Sequence, residues 1–186
     1  MFNVNSIVMK RQEPLRARYT RNPAEAVTVK HGKTRTTEGV DALHGCVAAG
    51  DAYDLECRYG IDDAVGGFDD APNPGDLLCA ALAACQDSTI RMIADILGVT
   101  IESLEVEVVG DVDVRGCLAV DRDVKVGFGS LACKVHLTVA PDTHPQKAAA
   151  LLAKAERSCV NLDTLRSGVP VKLGFDVSGV ALASAA

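Results

Sequence analysis

Cysteine offers the broadest chemistry of any residue type in this chain, because a thiolate can act as a nucleophile, a redox centre or a metal ligand. The 186 residues include seven cysteines: Cys46, Cys57, Cys79, Cys85, Cys117, Cys133 and Cys159. Their number is odd, no pair has Cys-x-x-Cys spacing, and the four histidines form no local motif with them. A disulfide framework and a metal site are therefore not expected, and most of these thiols should be reduced and buried.

Two of the cysteines lie in LLCAALAACQD, residues 77–87, the most apolar stretch of the chain. Cys79 and Cys85 are six residues apart, about 240° around a helix, so they cannot line one site. Ser88 and Thr89 follow Cys85 by three and four residues and place polar groups on its face of the helix. This pattern distinguishes Cys85 from Cys79 as a candidate functional thiol, but packing alone would also explain it, since small hydroxyl residues pack between helices.

Cys159 follows the predicted helix QKAAALLAKAERS, and we expect it to lie in a turn before NLDTLRSG. A thiol at the end of a helix can face a cleft, and a buried cap cysteine would have the same sequence context. Two cysteines far apart in sequence, each on or beside a helix, suit a dithiol that reduces peroxides. One thiolate becomes a sulfenic acid and the other condenses with it to a disulfide.

Hydrophobic periodicity predicts the elements that position these thiols. The first 22 residues are polar and predict an arm with room for a short helix in PLRARY, and residues 26–58 favour broken strands, the first two around a turn at residues 31–33. Residues 60–75 have the composition of a loop. A long helix is expected to begin near Asp76 and end before Gly98. Since it is apolar on nearly every face, it should be central and buried.

The second half of the chain alternates between apolar and polar residues, which predicts strands with one wet face and hence an antiparallel sheet. The inward positions would be Leu104, Val106 and Val108, then Leu131, Cys133, Val135, Leu137 and Val139. A second helix follows, with Thr143 or Asp142 as its cap, and VPVKLGFDVSGVAL predicts a final strand. This order of elements indicates an α+β fold.

Charge and hydropathy narrow the classes of protein. The net charge is −6, but residues 1–35 carry eight Lys or Arg against two Glu. A basic arm could bind nucleic acid; we favour a solvated extension, because aromatic residues are few and the rest of the chain is acidic.

The longest apolar run is nine residues, against about 20 for a membrane span, and the first residues lack the order of a secretory signal. We expect a cytoplasmic protein that binds neither nucleic acid nor membrane.

Several segments together resemble the OsmC/Ohr family of osmotically inducible and organic hydroperoxide resistance proteins. They are PNPGDLLCAALAACQDSTIRMIADILG, GDVDVRG, VGFGSLACKVHLTV and AERSCVNLDTLRSGVPV, within residues 72–177. The resemblance implies an OsmC-like α+β domain over residues 23–186, after an N-terminal arm at residues 1–22. It further implies an intertwined homodimer whose antiparallel sheets surround the long central helix, with active sites at the subunit interface.

The resemblance also implies an activity. Active members look like cysteine-based peroxidases that reduce organic hydroperoxides without a metal or organic cofactor, and a dithiol such as a lipoylated protein reduces the oxidised pair. By motif, Cys85 matches the nucleophile of the central helix and Cys159 matches the resolving cysteine. The family proline after the second cysteine is replaced here by Val160.

A buried thiolate needs a cation nearby, because burial alone favours the neutral thiol. The family supplies an arginine from an N-terminal strand turn, held by a glutamate directly after the proline of its Asn-Pro motif. Arg35 is our first candidate for that arginine and Arg58 our second. Gly75 stands at the glutamate position, with Asp76 next to it.

Three alternatives follow from Gly75: Asp76 takes over the role of the glutamate, an aspartate of the preceding loop such as Asp69 or Asp70 does so, or the clamp is missing. The missing clamp favours a different function, a non-catalytic OsmC-like protein that binds small molecules and in which the cysteines only pack. A third hypothesis, an interaction protein acting through the basic arm, rests on residues 1–35 alone.

Overall fold

The computed structural model describes residues 3–36, 40–50 and 55–179. The helices are α1 (Ile7–Arg21), α2 (Pro74–Leu97), α3 (Val114–Cys117), α4 (Pro145–Ser158) and α5 (Val160–Ser167). The strands are β1 (Gly32–Thr34), β2 (Gly45–Ala49), β3 (Glu56–Tyr59), β4 (Ile101–Asp111) and β5 (Ser130–Val139). The predicted α+β class with antiparallel pairing is confirmed.

The N-terminal sheet has the strand order β1-β2-β3, with both pairs antiparallel. The predicted turn at residues 31–33 is wrong, because Gly32 and Lys33 lie in β1 and pair with Ala49 and Ala48. No strand forms at residues 26–30, where Val27 is exposed. A strand-like pattern there finds no partner strand, and an unpaired strand is not stable in water.

The second sheet consists of β4 and β5, paired antiparallel along their length, with Val106 opposite Val135. Its apolar side chains face the helices and its charged ones face solvent, as predicted from the alternation. The core lies between this inner face, one face of α2, and α4. Its fully buried members include Ile90 of α2 and Leu151 of α4.

Helix α2 begins two residues earlier than predicted. Asn73 caps it, since its Oδ1 accepts from the Asp76 N–H at 3.0 Å while Asp76 Oδ2 accepts from the Asn73 N–H at 2.9 Å. Asp76 is thus the third residue of the helix. At the other end, Gly98 has φ 64° and ends the helix as expected.

The prediction that α2 is buried all round is only half correct. One face packs against β4, α4 and α5, while Met92, outside this face, is 40% exposed. By length and hydropathy alone the helix could cross a membrane. The helix packs in the core, however, and Arg91 and Asp87 form an ion pair at 2.9 Å on its surface. Both features are those of a core helix in an α+β fold.

Both ends of the chain differ from the prediction. The N-terminal arm contains the 15-residue helix α1, longer than the short helix expected in PLRARY. At the other end, residues 169–179 form no strand, so the predicted final strand is wrong for this part; residues 180–182 lie outside the described residues. The alternating Val171, Leu173 and Phe175 are strand-like, but nothing in the described chain pairs with them and they are exposed.

Candidate active site

Cys85 and Cys159 are brought together by the junction of α4 and α5. Cys159 ends α4 and caps α5, and its extended backbone, φ −78° and ψ 110°, interrupts the helical path at this single residue. The turn predicted before NLDTLRSG is thus this one extended residue, and residues 160–167 form α5. The cap of α4 is His144, not Thr143 or Asp142, and its Nδ1 accepts from the Gln146 N–H at 3.2 Å.

The junction is fastened to α2 through Asn161. Its side-chain Nδ2 donates to the Ala81 carbonyl at 2.8 Å, and its backbone N–H lies 3.5 Å from Cys85 Sγ. Ala81 and Cys85 are one turn apart on α2. Asn161 thus holds the first turn of α5 against the turn of α2 that carries Cys85. The sequence does not mark this residue as part of a site, because an asparagine beside a helix start has many other uses.

The two thiols are neighbours, although they are far apart in sequence: Asn161, whose N–H lies 3.5 Å from Cys85 Sγ, is two residues after Cys159. Cys159 is fully buried and Cys85 is half-buried. Burial raises the pKa of the Cys159 thiol; the Leu162 backbone N–H acts in the opposite direction, and the neighbouring Cys85 raises it further. Cys159 is therefore held as the neutral thiol, while Cys85 is the more accessible of the two.

Ser88 and Thr89 do not form a polar site around Cys85. Ser88 Oγ and Thr89 Oγ1 both donate to the Cys85 carbonyl oxygen, at 3.0 and 2.7 Å. Hydroxyls that bond back to the preceding turn are satisfied within the helix and need no external partner. The hydroxyls of Ser88 and Thr89 therefore bond to the helix backbone and do not line a site.

Cys79 lies away from the pair, as its helical position predicts. It is half-buried, and burial together with the nearby Asp76 carboxylate raises the pKa of its thiol. A thiol in these surroundings is disfavoured as a thiolate. Cys79 is therefore suited to packing.

The other predicted site residues lie elsewhere. Arg35 forms an ion pair with Glu56 on the N-terminal sheet, and Arg58 lies 3.8 Å from Asp70. The Asp76 carboxylate accepts the Asn73 N–H in the capping box. Among the residues that the structure describes, no Lys or Arg donates to either sulfur of the pair. The described part of the chain also has no cluster of His, Cys, Asp and Glu suited to a metal ion.

Gly75, at the glutamate position of the family motif, is explained by packing. A Cβ on this residue would lie 2.9 Å from Asn73 Oδ1 and 3.3 Å from Phe128 Cζ. The first distance is shorter than normal contact and the second is tight, so a larger side chain would disturb both the helix cap and the Phe128 ring. Glycine at position 75 therefore leaves room for the Phe128 ring.

Fold and site together define a class: an α+β protein in which a long core helix carries one thiol and a helix junction brings a second thiol to it. A sequence model described as OsmC-like protein matches residues 67–174, more than half of the chain. The chain belongs to the OsmC-like protein family. The resemblance predicted from its motifs is thus confirmed. Among curated proteins, none matches it in sequence.

Solved structures share this fold. An OsmC-like protein from Mycoplasma pneumoniae superposes with a TM-score of 0.58 at 13% identity, over 76% of this chain and 89% of its own. An organic hydroperoxide resistance protein OsmC from Legionella pneumophila gives 0.56 at 24% identity, over 78% and 95%. One from Elizabethkingia anophelis gives 0.54 at 21% identity, over 76% and 91%. At these identities the likeness shows the fold alone.

Proposed function

We propose that this protein is a cysteine-based peroxidase that reduces organic hydroperoxides, with Cys85 as nucleophile and Cys159 as resolving cysteine. The proximity of these two thiols, fixed by the bonds from Asn161 to the Cys85 turn of α2, carries the proposal. Membership of the OsmC-like family supports it, as do the names of two proteins of the same fold, which are described as organic hydroperoxide resistance proteins.

The chemistry balances with two thiols and one hydroperoxide. The Cys85 thiolate attacks the terminal peroxide oxygen, the O–O bond breaks, and the organic part leaves as an alcohol after taking up a proton. The Cys159 sulfur then attacks the Cys85 sulfenic acid, which forms the disulfide and releases water. An external dithiol, for which a lipoylated protein is our candidate, reduces the disulfide and is itself oxidised. No metal or organic cofactor is needed in these steps.

The environments of the two thiols support this division of roles. Cys85 is half-buried, so a substrate can approach its sulfur, whereas Cys159 is fully buried beside it. Because burial raises the pKa of Cys159, its thiolate is disfavoured, which leaves the first attack to Cys85. The Asn161 N–H, 3.5 Å from Cys85 Sγ, is positioned to donate to that sulfur.

Arg35 and Asp76 remain our candidates for tuning the Cys85 thiolate. Since Arg35 pairs with Glu56 on the N-terminal sheet, its role would require a second copy of the chain or a movement of that sheet. We therefore propose that the working form is a homodimer.

We also propose a cytoplasmic location, where the cysteines stay reduced between turnovers. We propose that the protein binds neither nucleic acid nor membrane.

One observation favours the alternative function, a non-catalytic protein that binds small molecules. No cation among the described residues contacts the thiol pair, and an apolar setting without a cation favours the neutral thiol, which is the poorer nucleophile. The two functions differ in what the thiols do when a hydroperoxide is present.

Oxidation of the reduced protein by cumene hydroperoxide separates the two functions. Mass spectrometry should show the loss of two hydrogen atoms and a Cys85–Cys159 linkage, because the two thiols are neighbours in the fold. Cys159→Ser should instead accumulate sulfenic or sulfinic acid at Cys85, and Cys85→Ser should stop hydroperoxide consumption. Cys79→Ser, on the same helix, is the matched control and should behave like the parent. Survival of both thiols in a modest excess of hydroperoxide would refute the peroxidase.

A further inference from the structure

A cleft of about 660 Å³, the thiol-side cleft, adjoins the thiol pair between α2, β5 and α5. Leu78 and Leu82 line it from α2, seven and three residues before Cys85, so the three side chains share one face of the helix. Leu162 lines it from α5 and follows Asn161, whose N–H lies 3.5 Å from Cys85 Sγ. The organic part of a hydroperoxide bound at Cys85 would therefore lie in this cleft.

A second cleft, of about 610 Å³, lies on another side of α2, against β4. Cys79 and Ala83 line it from the helix, and Val108 and Val109 line it from the strand. Each of the two helix residues directly follows a leucine of the thiol-side cleft, and is therefore rotated by about 100° around the helix axis. The two clefts thus flank the same turns of α2.

Among the described residues, Phe128 alone lines both clefts. It belongs to the loop before β5, and its ring lies between the first turn of α2 and the end of β4. A Cβ on Gly75 would be 3.3 Å from the ring Cζ, and a Cβ on Gly110 would be 2.5 Å from its Cε1. Glycine at both positions therefore makes room for the ring, which fills the space between the clefts at the start of α2.

Hydrogen bonds hold the backbone on both sides of this ring. Lys125 Nζ donates to the Phe128 carbonyl at 2.6 Å, and the Gly129 N–H donates to the Asp111 carbonyl at 2.8 Å. The Phe128 side chain is half-buried. The ring is therefore a fixed wall of both clefts.

We infer that Phe128 determines specificity, because its ring limits the length of the organic group that the thiol-side cleft accepts. An organic chain that starts at Cys85 and follows the leucines of α2 towards the start of the helix meets this ring. Without the ring, the chain continues into the second cleft. The inference rests on the proposed peroxidase, since that function places the organic group in the thiol-side cleft.

Binding of straight-chain alkyl hydroperoxides, from butyl to dodecyl, tests this limit without turnover. The full-length variant Cys85→Ser/Cys159→Ser has neither thiol of the pair. Titration calorimetry on it should show affinity rising about fourfold for each methylene that enters the cleft, and the rise should stop where the chain reaches Phe128. With Phe128→Ala added, the next methylenes should again each raise the affinity about fourfold.

A further substitution tests whether the longer chains enter the second cleft. Ala83→Leu fills that cleft from α2, so combined with Phe128→Ala it should restore the original limit. Phe128→Leu retains an apolar side chain and should shift the limit by less, which gives a second measurement if Phe128→Ala does not fold. Phe68→Ala is the matched control, since Phe68 is 69% exposed and is not among the described residues that line either cleft. This control should keep the limit.

The inference is wrong if the affinity rises through the whole series with Phe128 in place, if the limit is the same after both Phe128 substitutions, or if no hydroperoxide binds. Failure of the peroxidase has a different signature: both thiols of the parent survive cumene hydroperoxide, while the serine variant still shows a length limit that depends on Phe128. On the protein with both thiols, Phe128→Ala should raise kcat/KM for chains beyond the limit through a lower KM.

Discussion

His44 links two acidic side chains from separate segments of the chain. Its Nδ1 lies 2.9 Å from Asp41 and its Nε2 lies 3.1 Å from Asp70, while its ring stacks on Phe68 at a centroid distance of 5.9 Å. Both ring nitrogens can donate to carboxylates only when the imidazole is protonated. Arg58, 3.8 Å from Asp70, is the other cation at this junction. The cluster therefore joins the turn before β2 to the loop before α2 in a charge-dependent way.

This geometry predicts a pH-dependent stability. The hydrogen bond to Asp41 raises the pKa of His44 against the smaller opposing effect of burial, and Asp70 adds to the rise. A raised folded-state pKa gives a stabilisation that is fully present below the usual histidine pKa of about 6.5 and is lost as the pH rises through the folded value. Urea unfolding should show His44→Gln destabilised relative to the parent in mildly acidic buffer, with the two converging in alkaline buffer. NMR titration of the His44 ring should give its raised pKa directly.

The control for this prediction is His136→Gln, which changes an exposed histidine on the wet face of β5. This variant should follow the parent at every pH. If His44→Gln is destabilised equally in acidic and alkaline buffer, the role of His44 is packing against Phe68 and not charge.

At the residue scale, the sequence predicts two site thiols but not what surrounds them. Cys159 could be paired with Cys85 only through the family resemblance, because their proximity depends on an interruption of helical geometry at one residue. Ser88 and Thr89 look like site residues in sequence, yet their hydroxyls bond to the helix itself. Asn161 gives no sequence signal, since its role is defined only by the packing of α5 against α2.

At the scale of elements, α1 is attached to the core at one end. Asp95 of α2 accepts from the Ser6 hydroxyl and from the Val8 N–H, the latter at 3.0 Å. Ser6 is fully buried, and its Oγ also accepts the Met9 N–H at 3.0 Å, which caps α1. Asn3 donates to the Asp95 carbonyl at 3.0 Å. The arm is thus docked through its first residues, while α1 itself has no buried residue.

Ser6→Ala should release this helix without disturbing the core. Loss of the cap and of the Asp95 contact should weaken α1 by about 1–2 kcal/mol, the usual range for removing an N-cap hydroxyl. Hydrogen exchange should then be faster for the α1 amides and unchanged for those of α2. Thr20→Ala, at the far end of α1, should leave the anchor intact. Exchange in α1 that is as slow as in the parent would show that Ser6 does not hold the helix.

The elements that sequence reasoning placed best are those whose own pattern decides their structure. α2, α4, β4 and β5 have long, regular periodicities, and the helix ends carry local signals such as Gly98. The wrong predictions concern elements whose structure depends on a partner. The position of β1 depends on its pairing with β2, and the strand expected after α5 has no neighbouring strand in the described chain. The start of α2 was misplaced because Asp76 serves in the capping box, not as the cap itself.

At the scale of the whole molecule, the single chain exposes more surface than a folded monomer should. Its accessible area is 13971 Å² for 19.5 kDa, whereas a compact monomer of this mass exposes about 8,500 Å². Large apolar side chains are among the exposed ones: Met92 on α2, and Leu173 and Phe175 in the segment after α5. Obligate dimer interfaces typically bury about 2,000–5,000 Å² in total. The chain is therefore suited to association with a second copy.

The segment after α5 gives the sharpest test of the proposed homodimer. Phe175 is 81% exposed in the single chain, yet it belongs to an alternating apolar run of the kind that packs one face of a strand. If this run completes a sheet in the partner, Phe175→Lys places a charge in the interface and should shift the protein towards monomer, seen by sedimentation velocity across a dilution series. Val120→Lys, at a valine that is 70% exposed in the loop after α3, is the matched control and should leave the assembly unchanged. A parent that sediments as a monomer at every concentration would contradict the homodimer, and equal behaviour of the two variants would place its interface elsewhere than on this segment.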